Sequence, residues 1–206
     1  MKPSITDSIE ALIEVERTDC EVTNQTMEIS QKSAIKRIKV APDQTVHKVN
    51  CGNDCRTIAS SLKDKVSEIH YSGKSSLWVK APSCSACKVL GNSDSQIVNS
   101  CGRGRDRVQY RILVRNKSAL KKIIDELKEQ HMNAELLEVH DWESLQLTPR
   151  EDEILMFAFL NGYFDIDRGM SMTEMAKHFG IAPSSLSDSL RRALKKAVRG
   201  YLVSND

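Results

Sequence analysis

The 206-residue sequence contains no apolar run long enough to span a membrane. The longest run, residues 154–160, has seven apolar residues, whereas a membrane helix needs about 18. The first ten residues, MKPSITDSIE, are polar and lack the apolar core of a signal peptide. A hydrophobic fraction of 40% with 28% charged residues is typical of a globular chain and disfavours a disordered one. The sequence therefore predicts a soluble, cytoplasmic protein with no membrane partner.

The sequence also lacks a strong net charge, since 30 Lys and Arg residues stand against 28 Asp and Glu residues. This balance excludes DNA binding that is driven by the charge of the whole chain. The charges are unevenly distributed, because residues 171–206 hold six basic and three acidic residues, whereas residues 141–170 hold two and seven. A DNA-binding function would therefore depend on a local basic stripe.

Common catalytic motifs are absent as well. The sequence has no phosphate-cradling glycine loop and no Ser-His-Asp order, and its five histidines show no His-Glu-x-x-His spacing. The acidic run Glu151-Asp152-Glu153 lies in a predicted first helical turn, where the helix dipole accounts for it. We therefore predict that the protein is not an enzyme.

Residues 1–140 alternate short strand-like and helix-like patterns. Alternation of apolar and polar residues predicts the strands, and apolar residues at three-and-four spacing predict the helices. The predicted strands are 34–40, 45–49, 77–80, 95–99, 108–114 and 134–139, and the predicted helices are 55–69 and 117–130.

This alternation occurs twice, and in each half a strand leads into a cysteine, Cys20 or Cys84. The order strand–helix–strand–strand–helix–strand is the ferredoxin-like arrangement. We therefore predict an α+β protein whose residues 1–140 form a ferredoxin-like or ACT-like sensor and dimerisation region. Its two halves are expected at about 11–70 and 76–140. A linker at 141–147 and an all-α helix-turn-helix domain at 148–206 would follow.

The C-terminal region reads as a helix-turn-helix. Thr148-Pro149-Arg150-Glu151 forms a helix start with a capping box, and residues 172–193 fit the two-helix template. Ala176 is small where the helices would cross, and Gly180 lies where the turn needs a left-handed backbone. The apolar positions that would lock the helices together are Met175, Phe179, Ile181, Leu186 and Leu190.

Such a unit presents the first turns of its second helix to the major groove of DNA. These turns hold short polar residues suited to base edges and phosphates, followed by a basic stripe. The predicted DNA-binding residues are Ser184, Ser185, Ser187, Asp188, Arg191, Arg192 and Lys195, and the stripe continues through Lys196 and Arg199. The alternative interpretation of the basic stripe is that it is the solvated face of a helix in a small helical domain.

Residues 147–196 resemble the C-terminal helix-turn-helix of the archaeal bacterio-opsin activator family. The resemblance rests on the opening Leu-Thr-Pro-Arg-Glu, the Gly-Tyr-Phe-Asp segment from Gly162, and the Glu-Met-Ala and Ser-Leu-Ser segments of the two helices. LuxR-type domains and sigma-factor C-terminal regions share the opening but usually lack Gly-Tyr-Phe-Asp. The resemblance implies an archaeal, cytoplasmic transcription regulator that binds double-stranded DNA.

The apolar run that follows the capping box covers about two helical turns, more than one amphipathic stripe explains. We expect Ile154, Leu155 and Ala158 to face the helix-turn-helix core. Met156, Phe159 and Tyr163 would then need another partner, either a second subunit or the N-terminal region, because large exposed apolar patches are rare on monomers. We therefore predict a homodimer, which would also suit paired operator half-sites.

The six cysteines are predicted to be reduced, because a chain of this size needs no disulfide staples. Cys84-x-x-Cys87 has the spacing of two metal ligands or of a dithiol redox pair at a helix start. Cys101 could supply a third ligand to zinc or another thiophilic metal, with His70, His131 or His140 as a fourth. The competing interpretation is that the cysteines are small buried hydrophobic residues and surface thiols.

Taken together, these patterns predict a sequence-specific DNA-binding transcription regulator. Its N-terminal region would sense a ligand, a metal or the redox state. The alternative function is a thiol-redox or metal-binding protein whose helical C-terminal domain mediates protein interaction.

Overall fold

The computed structural model describes residues 8–205, which form two compact units, one ending at Trp142 and the other beginning at Glu143. The strands of the first unit are β1 (Ile9–Glu16), β2 (Ala34–Val40), β3 (Gln44–Asn50), β4 (Glu68–Tyr71), β5 (Ser76–Pro82), β6 (Gln96–Arg103), β7 (Arg107–Val114) and β8 (Asn133–Asp141). Its helices are α1 (Glu21–Ile29), α2 (Cys55–Leu62), α3 (Ser85–Asn92) and α4 (Lys117–Glu129), with a 3-10 turn at Gly52–Asp54. The remaining helices are α5 (Trp142–Leu145), α6 (Pro149–Leu160), α7 (Met172–Phe179) and α8 (Pro183–Asn205).

The first unit contains the order strand–helix–strand–strand–helix–strand twice, once in β1–β4 and once in β5–β8. The strands form two four-stranded antiparallel sheets, with the orders β6-β7-β1-β8 and β2-β3-β5-β4. Each sheet therefore takes three strands from one repeat and one interior strand from the other. The predicted α+β class is confirmed. The halves predicted at 11–70 and 76–140, however, exchange their first strands and do not form separate sheets.

Strand β1 suits an interior position because both of its faces are covered. Alternate residues from Ile9 to Val15 are buried in the apolar core. On the other face Glu10 is 4% exposed and pairs with Arg111 of β7 at 3.0 Å. Burial of the apolar face is the main contribution that stabilises β1 in its position between β7 and β8.

The two sheets approach each other at their edge strands, β2 and β6. The backbone N–H of Arg37 donates to Ser100 Oγ at 2.8 Å across this edge. The segments that follow β1 and β5, which are equivalent in the two repeats, also meet, since the Ser85 N–H donates to Asp19 Oδ2 at 2.7 Å. The starts of α1 and α3 therefore lie side by side.

Two parts of the first unit differ from the sequence prediction. The helix predicted over 55–69 ends at Leu62, and Glu68–Tyr71 forms strand β4 instead, with Ile69 opposite Val79 of β5. The predicted helix combined the apolar residues of α2 with an apolar residue of a separate strand. Apolar residues at three-and-four spacing do not by themselves show where a helix ends. Helix α5 occupies part of the segment expected to be a linker at 141–147.

The second unit has a small core of its own. The residues buried in it are Ile154, Ala158, Met175, Ala176, Leu186 and Leu190, and Leu155, Phe157 and Tyr163 pack partly against them. Helix α8 contacts both α6 and α7. Of the helices formed by residues 8–205, none combines the length and apolar character that crossing a bilayer requires.

Candidate nucleic-acid interface and buried thiol cluster

Helices α6 and α7 both begin with a complete capping box. Thr148 Oγ1 accepts from the Glu151 N–H at 3.2 Å, and Glu151 Oε2 accepts from the Thr148 N–H at 3.0 Å. Ser171 and Glu174 make the same reciprocal pair at 3.3 and 2.8 Å. Each box satisfies two backbone donors that a helix start leaves open, so the predicted start at Thr148 is confirmed.

The turn between α7 and α8 is built on Gly180. Its φ of 65° and ψ of 30° are left-handed, as the sequence predicted for this position. The Ile181 N–H then donates to the Ala176 carbonyl at 3.1 Å, which closes the end of α7. Ala176 is 2% exposed, so a small residue lies where the two helices approach. Residues 172–193 therefore have helix-turn-helix geometry.

The first turns of α8 are amphipathic. Leu186 and Leu190 are buried against α6 and α7, whereas the polar residues between them point outward. Six of the seven predicted DNA-binding side chains are exposed, and Ser187 is half-buried. The exposed six are Ser184, Ser185, Asp188, Arg191, Arg192 and Lys195.

The basic stripe is partly engaged within the protein. Glu151 of α6 accepts from Lys196 Nζ at 2.7 Å and lies 3.6 Å from Arg192 Nε. Arg191 pairs with Asp188 at 3.2 Å. Lys195 has no ion pair among the residues whose side chains are described, 8–202. Its charge is therefore the most available to a phosphate group.

Two cysteines of the first unit form a disulfide, which corrects the expectation that all six are reduced. Cys51 and Cys55 are joined, with a Cα–Cα distance of 5.0 Å. The 3-10 turn at Gly52–Asp54 brings Cys55, the first residue of α2, back towards Cys51. Both sulfurs belong to the buried core.

The structure does not bring Cys101 to the Cys84-x-x-Cys87 pair. Cys101 is half-buried on β6, and its thiol donates to the Gly102 carbonyl at 3.6 Å. His70 and His140 each lie 3.6 Å from a glutamate on the same strand. Among residues 8–205, no three His, Cys, Asp or Glu side chains have an arrangement that could hold a metal ion.

Cys20 instead joins Cys84 and Cys87 in the interior. Cys20 and Cys84 are the N-cap residues of α1 and α3, which makes them equivalent positions of the two repeats. They are 3% and 6% exposed, and Cys87 is fully buried. We call these three residues the thiol cluster. The repeat in the sequence places Cys20 and Cys84 at equivalent positions but does not predict their contact, because that contact depends on the exchange of β1 and β5.

Polar side chains surround the thiol cluster. Thr23 Oγ1 donates to Cys20 Sγ at 3.3 Å and accepts from Arg17 at 2.9 Å and Arg37 at 3.3 Å. His47 Nε2 lies 3.9 Å from Cys20 Sγ. Because the hydroxyl oxygen of Thr23 accepts from both guanidinium groups, its proton points to the Cys20 sulfur.

Cys87 has a different polar neighbour. Its sulfur lies 3.5 Å from the hydroxyl of Tyr110, a residue that is itself fully buried. Tyr110 and His47 are each the fourth residue of their strand, β7 and β3. These equivalent positions of the two repeats thus each supply a polar neighbour to the cluster.

These contacts separate the pKa values of the three thiols. The Cys84 thiol donates towards Cys20 and lowers the pKa of Cys20, against the effect of burial, and His47 lowers it further. The pKa of Cys87 falls to about 5, chiefly because Cys84 donates to it as well. Donation to both neighbours raises the pKa of Cys84. The arrangement therefore favours ionisation of Cys20 and Cys87 over ionisation of Cys84.

Two buried arginine side chains near the thiol cluster have nitrogen atoms without hydrogen-bond partners. Arg37 is 4% exposed and Arg17 is 3% exposed. Among the described side chains, Arg17 Nε, Arg37 Nε and Nη1, and His47 Nδ1 have no hydrogen-bond partner. Buried charged groups without partners are costly, so the unpartnered guanidinium nitrogens of Arg17 and Arg37 indicate that the site accommodates negative charge.

A cavity of about 400 Å³ adjoins the cluster. Three of its lining residues, Arg17, Asp19 and Ser85, are direct neighbours of the cluster in space or in sequence. The others are Glu16, Thr18, Gln130, His131, Met132 and Asn133. The cavity thus gives small molecules a place to collect beside the starts of α1 and α3.

Comparison with known proteins bears on the C-terminal unit. None of the curated proteins matches this sequence. Residues 147–199 match the model of a family described as an HTH DNA binding domain, which covers α6, α7 and most of α8. The second unit therefore contains a segment similar to helix-turn-helix DNA-binding domains, which supports the predicted resemblance to the bacterio-opsin activator family.

Proposed function

We propose that this protein is a sequence-specific transcription regulator that reads the major groove of DNA with the start of α8 and senses its signal through the N-terminal region. The observation that carries the proposal is the helix-turn-helix of α7, Gly180 and α8, within the segment that matches a DNA-binding family. Its first turns expose Ser184 and Ser185, whose hydroxyl groups can donate to or accept from base edges.

The basic residues that follow have a different role in this proposal. Arg191, Arg192 and Lys195 lie further along the exposed face of α8 and are assigned to the phosphate backbone. Phosphate contacts supply affinity and orientation, whereas base contacts supply sequence preference. Arg192 lies beside the Glu151 carboxylate, which orients the guanidinium group and partly neutralises its charge.

The test begins with selection of bound sequences from random DNA by the full-length protein. A preferred sequence, bound with an affinity that falls steeply as salt rises, is the expected result. Lys195→Ala should weaken binding to every sequence and reduce the slope of log affinity against log salt by about 1. Lys122→Ala, which removes an exposed lysine of α4, is the matched control and should leave that slope unchanged.

Ser185→Ala tests the assignment of base contacts. It should change which bases are preferred by about 1–3 kcal/mol at the affected position, with little change in the salt slope. Binding without sequence preference, or binding that is insensitive to both substitutions, would contradict the assignment of α8.

The alternative function, a thiol-redox or metal-binding protein whose C-terminal unit binds a protein partner, is favoured by one observation, the thiol cluster. It would appear as thiol chemistry in a full-length protein that shows no salt-sensitive DNA affinity. The predicted zinc ligation by Cys84, Cys87 and Cys101 has no support from the observed contacts. Elemental analysis of protein purified without added metal tests it directly.

A further inference from the structure

We propose that the thiol cluster is a reaction site for hydroperoxides, in which Cys20 is the nucleophile and Cys84 the thiol that resolves the product into a disulfide. The chemistry needs neither DNA nor the second unit. Only its consequence for gene control depends on the proposed regulator function.

Cys20 has the surroundings of an activated nucleophile. It is the N-cap residue of α1, without a capping hydrogen bond from its sulfur, at the end where the helix dipole favours an anionic sulfur. Thr23 donates to the sulfur and is itself polarised by the guanidinium groups of Arg17 and Arg37. A thiolate, not a thiol, attacks the oxygen of a hydroperoxide, so these contacts select the reactive form.

The unused donors fit the oxygen atoms of the substrate. Arg37 has two buried nitrogen atoms without hydrogen-bond partners, Nε and Nη1, and Arg17 has one, Nε. Negative charge develops on the departing oxygen when the O–O bond breaks, and fixed donors in a buried site stabilise it. A divalent cation would instead be repelled by the same two guanidinium groups.

The cavity lies next to the cluster, and its lining contains none of the three cysteines. Asp19 and Ser85, which line it, are adjacent in sequence to Cys20 and Cys84. Ser85 donates to the Asp19 carboxylate from both its N–H and its hydroxyl, at 2.7 and 3.0 Å, which holds the two helix starts together. Cys87 lies deeper, fully buried against Tyr110, so Cys20 is the better placed of the two thiolates.

The proposed reaction has two steps. The Cys20 thiolate attacks the hydroxyl oxygen of ROOH, an S–O bond forms as the O–O bond breaks, and Cys20 becomes a sulfenic acid while RO⁻ takes a proton from solvent to give ROH. The Cys84 sulfur then attacks the Cys20 sulfur, an S–S bond forms, and the sulfenic hydroxyl leaves with the Cys84 proton as water. Two thiols are oxidised and one hydroperoxide is reduced to an alcohol, or to water when R is hydrogen.

The reaction also changes the charge of the core. Formation of the disulfide removes the Cys20 thiolate, which is connected to Arg17 and Arg37 through the hydroxyl of Thr23. Buried cations without an anion destabilise the fold around them. Oxidation is therefore expected to loosen the starts of α1 and α3.

The experiment treats the reduced full-length protein with equimolar hydrogen peroxide and maps the products by mass spectrometry of its peptides. We expect a Cys20–Cys84 disulfide, formed at least about tenfold faster than oxidation of Cys101, the half-buried reference thiol. In the Cys84→Ser variant, oxidation should stop at a Cys20 sulfenic acid, which a dimedone reagent captures. The Cys87→Ser variant should still form the Cys20–Cys84 disulfide.

Thr23→Val tests the positioning contact while keeping the shape of the side chain. It should raise the midpoint of the pH–rate profile for Cys20 oxidation and slow the reaction several-fold at neutral pH. A purely structural role for Thr23 would leave that midpoint unchanged.

Three results would overturn the proposal. They are oxidation of Cys20 no faster than that of Cys101, a Cys84–Cys87 disulfide as the main product, or stoichiometric zinc in the purified protein that blocks the reaction. None of these readouts involves DNA. Failure of the thiol chemistry and failure of the proposed DNA binding are therefore distinguishable.

Discussion

Among single residues, Glu151 takes part both in the start of α6 and in the contact between α6 and α8. Its carboxylate completes the capping box of α6 and also accepts from Lys196 of α8. The hydrogen bond from Lys196 lowers the pKa of Glu151, as do the contacts with Thr148. The same residue therefore starts one helix and ties it to the recognition helix.

This arrangement predicts a pH-dependent contribution to stability. The folded pKa of Glu151 lies below its unfolded value, so the contribution is fully present above the unfolded pKa and is lost as the pH falls through the folded pKa. Glu151→Gln should lower the free energy of unfolding at pH 7 by about 1–2 kcal/mol, with a smaller difference from wild type at low pH. Chemical denaturation across this pH range measures it.

Glu153→Gln is the matched control, because the only ion pair of Glu153 among the described side chains is with the exposed Arg150. An exposed ion pair contributes about 0.5 kcal/mol or less, so this variant should stay close to wild type. A loss as large for Glu153→Gln as for Glu151→Gln would contradict the role given to the buried carboxylate.

Among the elements, the turn between α7 and α8 determines how the recognition helix is presented. Gly180 holds a φ of 65°, and a Cβ added there would meet no atom within 4 Å. The requirement for glycine is therefore conformational and not steric.

Gly180→Ala should destabilise the second unit by about 1–2 kcal/mol, because alanine pays for the left-handed conformation. Gly200→Ala is the matched control, since Gly200 lies inside α8, has open space for a Cβ and has no positive φ. It should stabilise the unit by about 0.5–1 kcal/mol. Thermal unfolding of the two variants should therefore shift in opposite directions, and a shared direction would show that the turn does not require glycine.

At the scale of the whole molecule, the second unit exposes large apolar side chains. Phe159 is 68% exposed, Leu160 72% and Met156 50% on helix α6. Ile154 and Ala158 of the same helix are buried in the core, as the sequence predicted for this face. A second copy of the chain or the N-terminal region stays the predicted partner of this face, and paired half-sites in DNA would suit a symmetric dimer.

Phe159→Glu should therefore convert a dimer into a monomer without unfolding the core of the second unit. Sedimentation of the full-length protein at micromolar concentration measures the change. Ile38→Glu, which places the same charge at a half-exposed residue of β2, should leave the dimer intact. A wild-type protein that is monomeric under these conditions would contradict the prediction.

The helical unit was largely determined by its own sequence. The capping box at Thr148, the left-handed Gly180 and the apolar spacing of Leu186 and Leu190 are local signals, and each acts within a few residues of the place where it appears. Helix starts, helix stops and amphipathic faces depend mainly on nearest neighbours along the chain. For this reason the sequence predicted them without any long-range information.

The first unit shows the opposite case. The strands could be predicted from their alternation, but the pairing of β1 with β7 joins residues about a hundred positions apart, Ile13 with Tyr110 among them. Which strand fills the interior of each sheet depends on how apolar faces are buried together, and that is a property of the whole unit. The sequence by itself determined the repeat and the helix-turn-helix. Only the tertiary structure, by exchanging β1 and β5, decided that Cys20 lies beside Cys84.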